Sequence, residues 1–113
     1  MITAIKNYFG IAPPVDFRSL IQAGAVIVDV RTVEEFAHGH IPGAINIERD
    51  QLRRNLRRLP AKDMPIITCC ASGVRSATAK RILEAYSYTN VHDGGAWARL
   101  QDKISDGNDR IDN

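Results

Sequence analysis

The chain has 113 residues, of which 44% are hydrophobic and 25% charged, with a formal net charge of +2; such a length supports one domain around one core. So small a charge excess gives no ground for a nucleic-acid or membrane partner, and no stretch is long and apolar enough to cross a bilayer. The two cysteines, Cys69 and Cys70, are adjacent and lack further Cys and His at ligand spacing, so neither a disulfide framework nor a structural zinc site is expected, and a reducing, cytoplasmic compartment is.

Residues 1–14 read as an N-terminal extension to a domain over residues 15–104. Ile2, Ile5, Tyr8 and Phe9 approximate one helical face, expected to pack on the domain. Lys6 interrupts the apolar stretch, so a cleaved export signal is not expected, and Pro13-Pro14 ends the segment. A helix follows, with Asp16 as N-cap, Phe17, Leu20 and Ile21 inward and Gly24 as the stop. Ala25-Val26-Ile27-Val28-Asp29-Val30 is almost wholly apolar, as befits a parallel strand covered on both faces. Its one charged member, Asp29, lies near the carboxyl end, where ligands gather in open α/β sheets. Two roles stay open for Asp29 and the following Arg31: contact with substrate, or support of the site, with Asp29 capping the next turn and Arg31 paired to it.

Thr32 and Glu35 have the spacing of a capping box opening a short helix. His38-Gly39-His40-Ile41-Pro42-Gly43 breaks it, and of the metal, general-base and structural readings that two close histidines invite, the expectation is a structural turn with His40 hydrogen-bonding backbone. Ala44-Ile45-Asn46-Ile47 reads as the next strand. Glu48 to Leu59 is expected to form a helix, with Leu52, Leu56 and Leu59 buried and Arg49, Arg53, Arg54, Arg57 and Arg58 around the rest. Without interleaved aromatic residues this basic run does not resemble a nucleic-acid surface; it is a solvated face, open to an acidic protein partner.

Ile66-Ile67-Thr68-Cys69 reads as a buried strand and Ala77 to Ala85 as a helix, with a tight loop of small residues between them. A loop at such a junction lets backbone N–H groups from Ala71 to Ser76 converge on one point, where the helix N-terminus adds its positive dipole end. A cysteine at the rim, Cys70, ionises more easily there than a free thiol, and Arg75 adds positive charge. Tyr88 to His92 is the last strand, Asp93-Gly94-Gly95-Ala96-Trp97 the turn into a closing helix holding Ala98, Leu100 and Ile104, and Ser105 to Asn113 a polar tail expected to fray. Strands alternating with helices give an α/β domain with a mainly parallel sheet.

Four motifs now stand in order: Val28 to Phe36, Gly39 to Ile47, Cys70-Ala71-Ser72-Gly73-Val74-Arg75-Ser76, and Asp93 to Trp97. Together they resemble a single-domain rhodanese. The resemblance implies a central, mainly parallel five-stranded sheet with helices on both faces. It also implies a sulfurtransferase in which Cys70 takes sulfur from thiosulfate, polysulfide or a protein persulfide and passes it to a thiol or cyanide. Ala71, Ser72, Gly73, Val74, Arg75 and Ser76 would bind the substrate, with Asp29 and Arg31 in support, Trp97 packed beneath the site, and no metal or organic cofactor. Ala71 departs from the many thiosulfate-using members with a basic residue after the cysteine, so thiosulfate is expected to be a poor donor. A phosphatase or arsenate reductase would count its longer loop from Cys69, but the glycine three residues on selects Cys70, leaving Cys69 to pack in the core. A catalytically silent docking module is the remaining alternative.

Overall fold

The computed structural model describes residues 14–112. Four strands, β1 (Val26–Asp29), β2 (Ile45–Asn46), β3 (Ile66–Cys70) and β4 (Val91–Ala96), form one sheet in the order β2-β1-β3-β4. Every neighbouring pair is parallel. The expected five-stranded sheet is therefore four-stranded among the described residues, and the helical face expected around Ile2, Ile5, Tyr8 and Phe9 lies outside them. No helix of the described residues is long and apolar enough to cross a membrane.

The helices are α1 (Phe17–Gln22), α2 (Val33–His38), α3 (Val74–Ala85) and α4 (Trp97–Asp112). The Asp16 carboxylate caps α1 by accepting from the Ser19 N–H at 3.1 Å and its hydroxyl at 2.8 Å. Gly24, at φ 94°, stops it in a left-handed conformation that other residues adopt only at a cost. The capping box of α2 closes as the spacing predicts: the Glu35 N–H donates to Thr32 Oγ1 at 3.1 Å, and the Thr32 N–H to Glu35 Oε1 at 3.0 Å. Helix α4 continues through the polar residues after Ser105 as far as Asp112.

Successive strand residues face opposite sides of a sheet, and this divides the core in two. One side gathers Val28, Val30, Ile47, Leu52, Ile66, Cys70 and Leu83; the other gathers Phe17, Ile27, Ile41, Ile67, Cys69 and Leu100. Helix α3 covers the first side and α1 and α4 the second, so helices lie on both faces as expected. The adjacent cysteines accordingly enter different cores.

Two regions differ from expectation. Glu48 to Leu59 is not one α-helix but two 3-10 turns, Arg49–Arg54 and Leu56–Arg58, joined at Asn55 (φ −122°). Asn55 Nδ2 donates to the Gln51 carbonyl at 2.7 Å, a side-chain bond that competes with a continuous helix, and Arg58 reaches back to the Asn46 carbonyl of β2 at 3.1 Å. Leu52 is fully buried, while Leu56 and Leu59 pack on the same core partly exposed.

The second is β4, which does not stop at His92. Thr68 pairs with Asp93 but Cys70 with Ala96, so β4 holds one residue more than β3 and bulges at Gly94-Gly95. Glycine is required at Gly94 because a Cβ there would lie 2.8 Å from each of Ile67 Cγ2, Leu100 Cδ2 and the Thr68 carbonyl oxygen. The pair that reads as a turn in sequence is a bulge in the sheet.

Candidate active site

Cys70 ends β3 at the carboxyl edge of the sheet, and α3 begins four residues later. Between them the chain reverses through Gly73, whose φ of 105° lies in the left-handed region. That turn brings the Gly73 N–H to 2.9 Å from Cys70 Sγ, and the Ser76 hydroxyl, from the first turn of α3, stands 3.5 Å from the same sulfur. Thr68 fixes the helix start by donating to the Ser76 carbonyl at 2.9 Å. The side chain of Cys70 is covered, while Ala71, Ser72 and Val74 form the exposed outer rim of the loop.

Burial pushes the Cys70 thiol up, but hydrogen bonding with the Ser76 side chain and with the backbone of Ser76, Gly73 and Ser72 outweighs it and brings the thiol below its ordinary value. Cys69 has the opposite fate. Burial, with the Asp29 carboxylate adding to it, pushes its thiol far up, so it stays protonated. Of the two thiols, the surroundings thereby favour ionisation of Cys70, and Cys69 packs in the core as its sequence position suggests.

Asp29 and Arg31 form a closed pair behind the site. Arg31 donates through Nε and its second terminal nitrogen to both Asp29 oxygens at 2.8–3.1 Å, and its own N–H donates to Asp29 Oδ1 at 3.1 Å. The same guanidinium donates to the Gly39 carbonyl at 2.7 Å and the Glu35 carbonyl at 3.3 Å, and it lies 4.7 Å from the Trp97 ring centroid. With Asp29 fully buried and Arg31 only 4% exposed, the pair ties β1 to α2 and the Gly39 turn. Of the two roles open in sequence, the geometry is that of support. Trp97 packs under this pair. His40 takes its expected structural role, with Nδ1 2.7 Å from the Phe36 carbonyl and its ring stacked on Phe36.

Arg75 points to Glu35 rather than to the sulfur. Its two terminal nitrogens donate to the two Glu35 oxygens at 2.7 and 3.0 Å, joining α3 to α2. This pairing, with help from Thr32, holds the Glu35 carboxyl down to about 2. Glu35 thus serves both the capping box and the loop anchor, a second role that its spacing from Thr32 does not reveal. Val30, Thr32, Glu48, Arg49, Asp50 and Arg75 line a small open polar cleft beside the pair.

Two further residues escape the sequence reading of the site. Asn46 donates to the Asp29 and Arg31 carbonyls at 3.0 and 2.9 Å, pinning β2 to the end of β1. Asp93 accepts the Ser76 hydroxyl at 2.7 Å. Its place beside the glycine pair is visible in the motif; its partner is not. Among the described residues no group of His, Cys, Asp and Glu is gathered to hold a metal ion.

Comparison with known proteins gives a consistent picture. The family model of the rhodanese-like domain matches residues 13–96. The thiosulfate sulfurtransferase GlpE of Pseudomonas fluorescens is 33% identical over 85 residues, covering 74% of this chain and 77% of its own. The thiosulfate sulfurtransferase PspE of Escherichia coli is 33% identical over 69 residues, covering 60% and 66%. Among solved structures, the human single-domain sulfurtransferase TSTD1 superposes with a TM-score of 0.67 at 30% identity, over 81% of this chain and 97% of that one.

Proposed function

This chain belongs to the rhodanese-like domain family, and on that footing we propose that it transfers sulfane sulfur by way of a persulfide on Cys70. The Cys70 thiolate attacks the outer sulfur of the donor, forming a new S–S bond. The donor's own S–S bond breaks, and its remainder leaves with the electron pair; from thiosulfate that remainder is sulfite. A thiolate or cyanide then attacks the outer sulfur of the persulfide, and Cys70 departs as thiolate, ready for another cycle.

The observation that carries this reading is the convergence of the Gly73 N–H and the Ser76 hydroxyl on one sulfur at the N-terminus of α3. The same donors that favour the thiolate suit a terminal sulfur anion one bond further out. Because Cys70 is covered at rest, the small residues of the rim must yield to admit a donor. Arg75 holds the loop through Glu35, and its charge is shared with that carboxylate. With Ala71 uncharged as well, the entrance offers little unopposed positive charge to a dianion, so polysulfide or a protein persulfide is favoured over thiosulfate as donor. Arg53, Arg54, Arg57 and Arg58 are exposed and carry no ion pair among the described residues. That face suits an acidic acceptor protein. A reducing cytoplasmic setting suits a working thiolate.

Thiocyanate formation from polysulfide and cyanide tests the reading. Cys70→Ser abolishes it and Cys69→Ser leaves most of it; the reverse pattern overturns the assignment.

A further inference from the structure

The Ser76 hydroxyl has one hydrogen and three neighbours. Its oxygen lies 2.7 Å from Asp93 Oδ1, 3.1 Å from the Gly73 carbonyl oxygen and 3.5 Å from Cys70 Sγ. A hydroxyl donates once and accepts through two lone pairs. The contact to the carboxylate is the shortest and the charge-assisted one, so the hydrogen resides there. The oxygen then turns only lone pairs toward the sulfur. That arrangement receives an S–H from a neutral thiol, but it repels a thiolate or a persulfide anion.

The sheet is built to hold Asp93 in this place. The bulge at Gly94-Gly95 follows it directly, and the Gly95 N–H donates to the same Oδ1 at 2.9 Å. Asp93 therefore keeps a donor when Ser76 turns away. The other charges around the sulfur are satisfied elsewhere: Arg75 with Glu35, from α3 and α2, and Asp29 with Arg31, at the end of β1.

We propose that Asp93 is a positioning residue of the sulfur cycle, one stop of a two-position hydroxyl switch in which Ser76 donates to Asp93 while Cys70 is a thiol and to the sulfur once it is anionic. This rests on the reading of Cys70 as the sulfur carrier. No covalent bond changes in the switch; the hydrogen stays on Ser76 Oγ and only the hydroxyl torsion rotates. Its effect is to set two anionic acceptors in competition for one hydrogen. The Cys70 anion is thereby held less firmly than a free serine would hold it.

The test is the ionisation of Cys70 in the full chain, followed by thiolate ultraviolet absorbance against pH for the wild type, Asp93→Asn, Ser76→Ala and the double variant. Asp93→Asn lowers the midpoint and Ser76→Ala raises it. In the Ser76→Ala background the Asp93→Asn shift falls to less than half its wild-type size, because only the through-space effect of the charge remains. Equal shifts in both backgrounds, or no shift at all, overturn the switch. Ser76→Thr, which keeps the hydroxyl, preserves the full Asp93→Asn shift; a lost shift there also counts against it. Should Ser76→Ala fail to fold, the Asp93→Asn titration serves in the wild-type and Ser76→Thr backgrounds: the expected result is the same lowered midpoint in both, and an unchanged midpoint in either refutes the proposal. Because the titration needs no sulfur donor, a failure of sulfur transfer would count against the persulfide reading and leave the titration result standing.

Discussion

Gly73→Ala separates the conformation of the loop from its packing. A Cβ at Gly73 meets nothing closer than Gly95 Cα at 3.8 Å, an ordinary contact, so steric crowding is not the issue. The backbone is: φ is 105°, where an L-residue is strained by roughly 1–2 kcal/mol. A hydrogen bond to a charged group contributes about 1.5–3 kcal/mol, comparable to that strain. The loop therefore relaxes toward negative φ and draws the Gly73 N–H away from Cys70 Sγ, where it now stands at 2.9 Å. Loss of about 1.4 kcal/mol of thiolate stabilisation raises the Cys70 pKa by about one unit, a roughly tenfold smaller thiolate fraction below the pKa. Iodoacetamide alkylation against pH reads the shift directly, with the melting temperature measured alongside. The alkylation midpoint moves up by about a unit while the fold persists. An unmoved midpoint in a folded variant would refute the claim that this N–H holds the thiolate.

Three other outcomes follow from the geometry. Gly94→Ala forces a methyl to 2.8 Å from the Thr68 carbonyl oxygen, which β3 cannot move aside; an overpacking cost of about 1–3 kcal/mol appears as a melting temperature lower by roughly 5–20 °C. Glu35 is held near 2 when folded, against about 4.3 unfolded; its contribution to stability is complete above about pH 5 and is lost as pH falls toward 2. Thermal melts over that range should fall less steeply for Glu35→Gln than for the wild type, and parallel curves would count against the Arg75–Glu35 anchor. Arg31→Ala leaves the buried Asp29 carboxylate without its charge partner, at a cost of about 3–5 kcal/mol; urea unfolding should show that loss, and a shift below 1 kcal/mol would contradict the supporting role.

Much of the fold was legible because local signals and burial agree. The apolar runs at Val26–Asp29 and Ile66–Cys70 are parallel strands covered on both faces, and the Thr32 and Glu35 spacing closes its box. The glycine three residues after Cys70 marks the turn that brings its own N–H to that sulfur, and strand alternation sends Cys69 into the opposite core. What stayed hidden depends on partners distant in sequence. Arg75 finds Glu35 forty residues away, and Asp93 finds Ser76 seventeen away. A glycine pair reads alike as turn or bulge until the neighbouring strand fixes its register, which is why β4 runs past His92. The arginine-rich run after β2 has helical spacing of its leucines, but the Asn55 side chain takes up the Gln51 carbonyl and the run forms two 3-10 turns.

Intact-protein mass before and after treatment with polysulfide, then with cyanide, tests most directly for a persulfide on Cys70. A gain of one sulfur atom that cyanide removes, and that Cys70→Ser does not show while Cys69→Ser does, is the predicted result. A chain that gains no sulfur from polysulfide or thiosulfate, or gains it equally without Cys70, would contradict it.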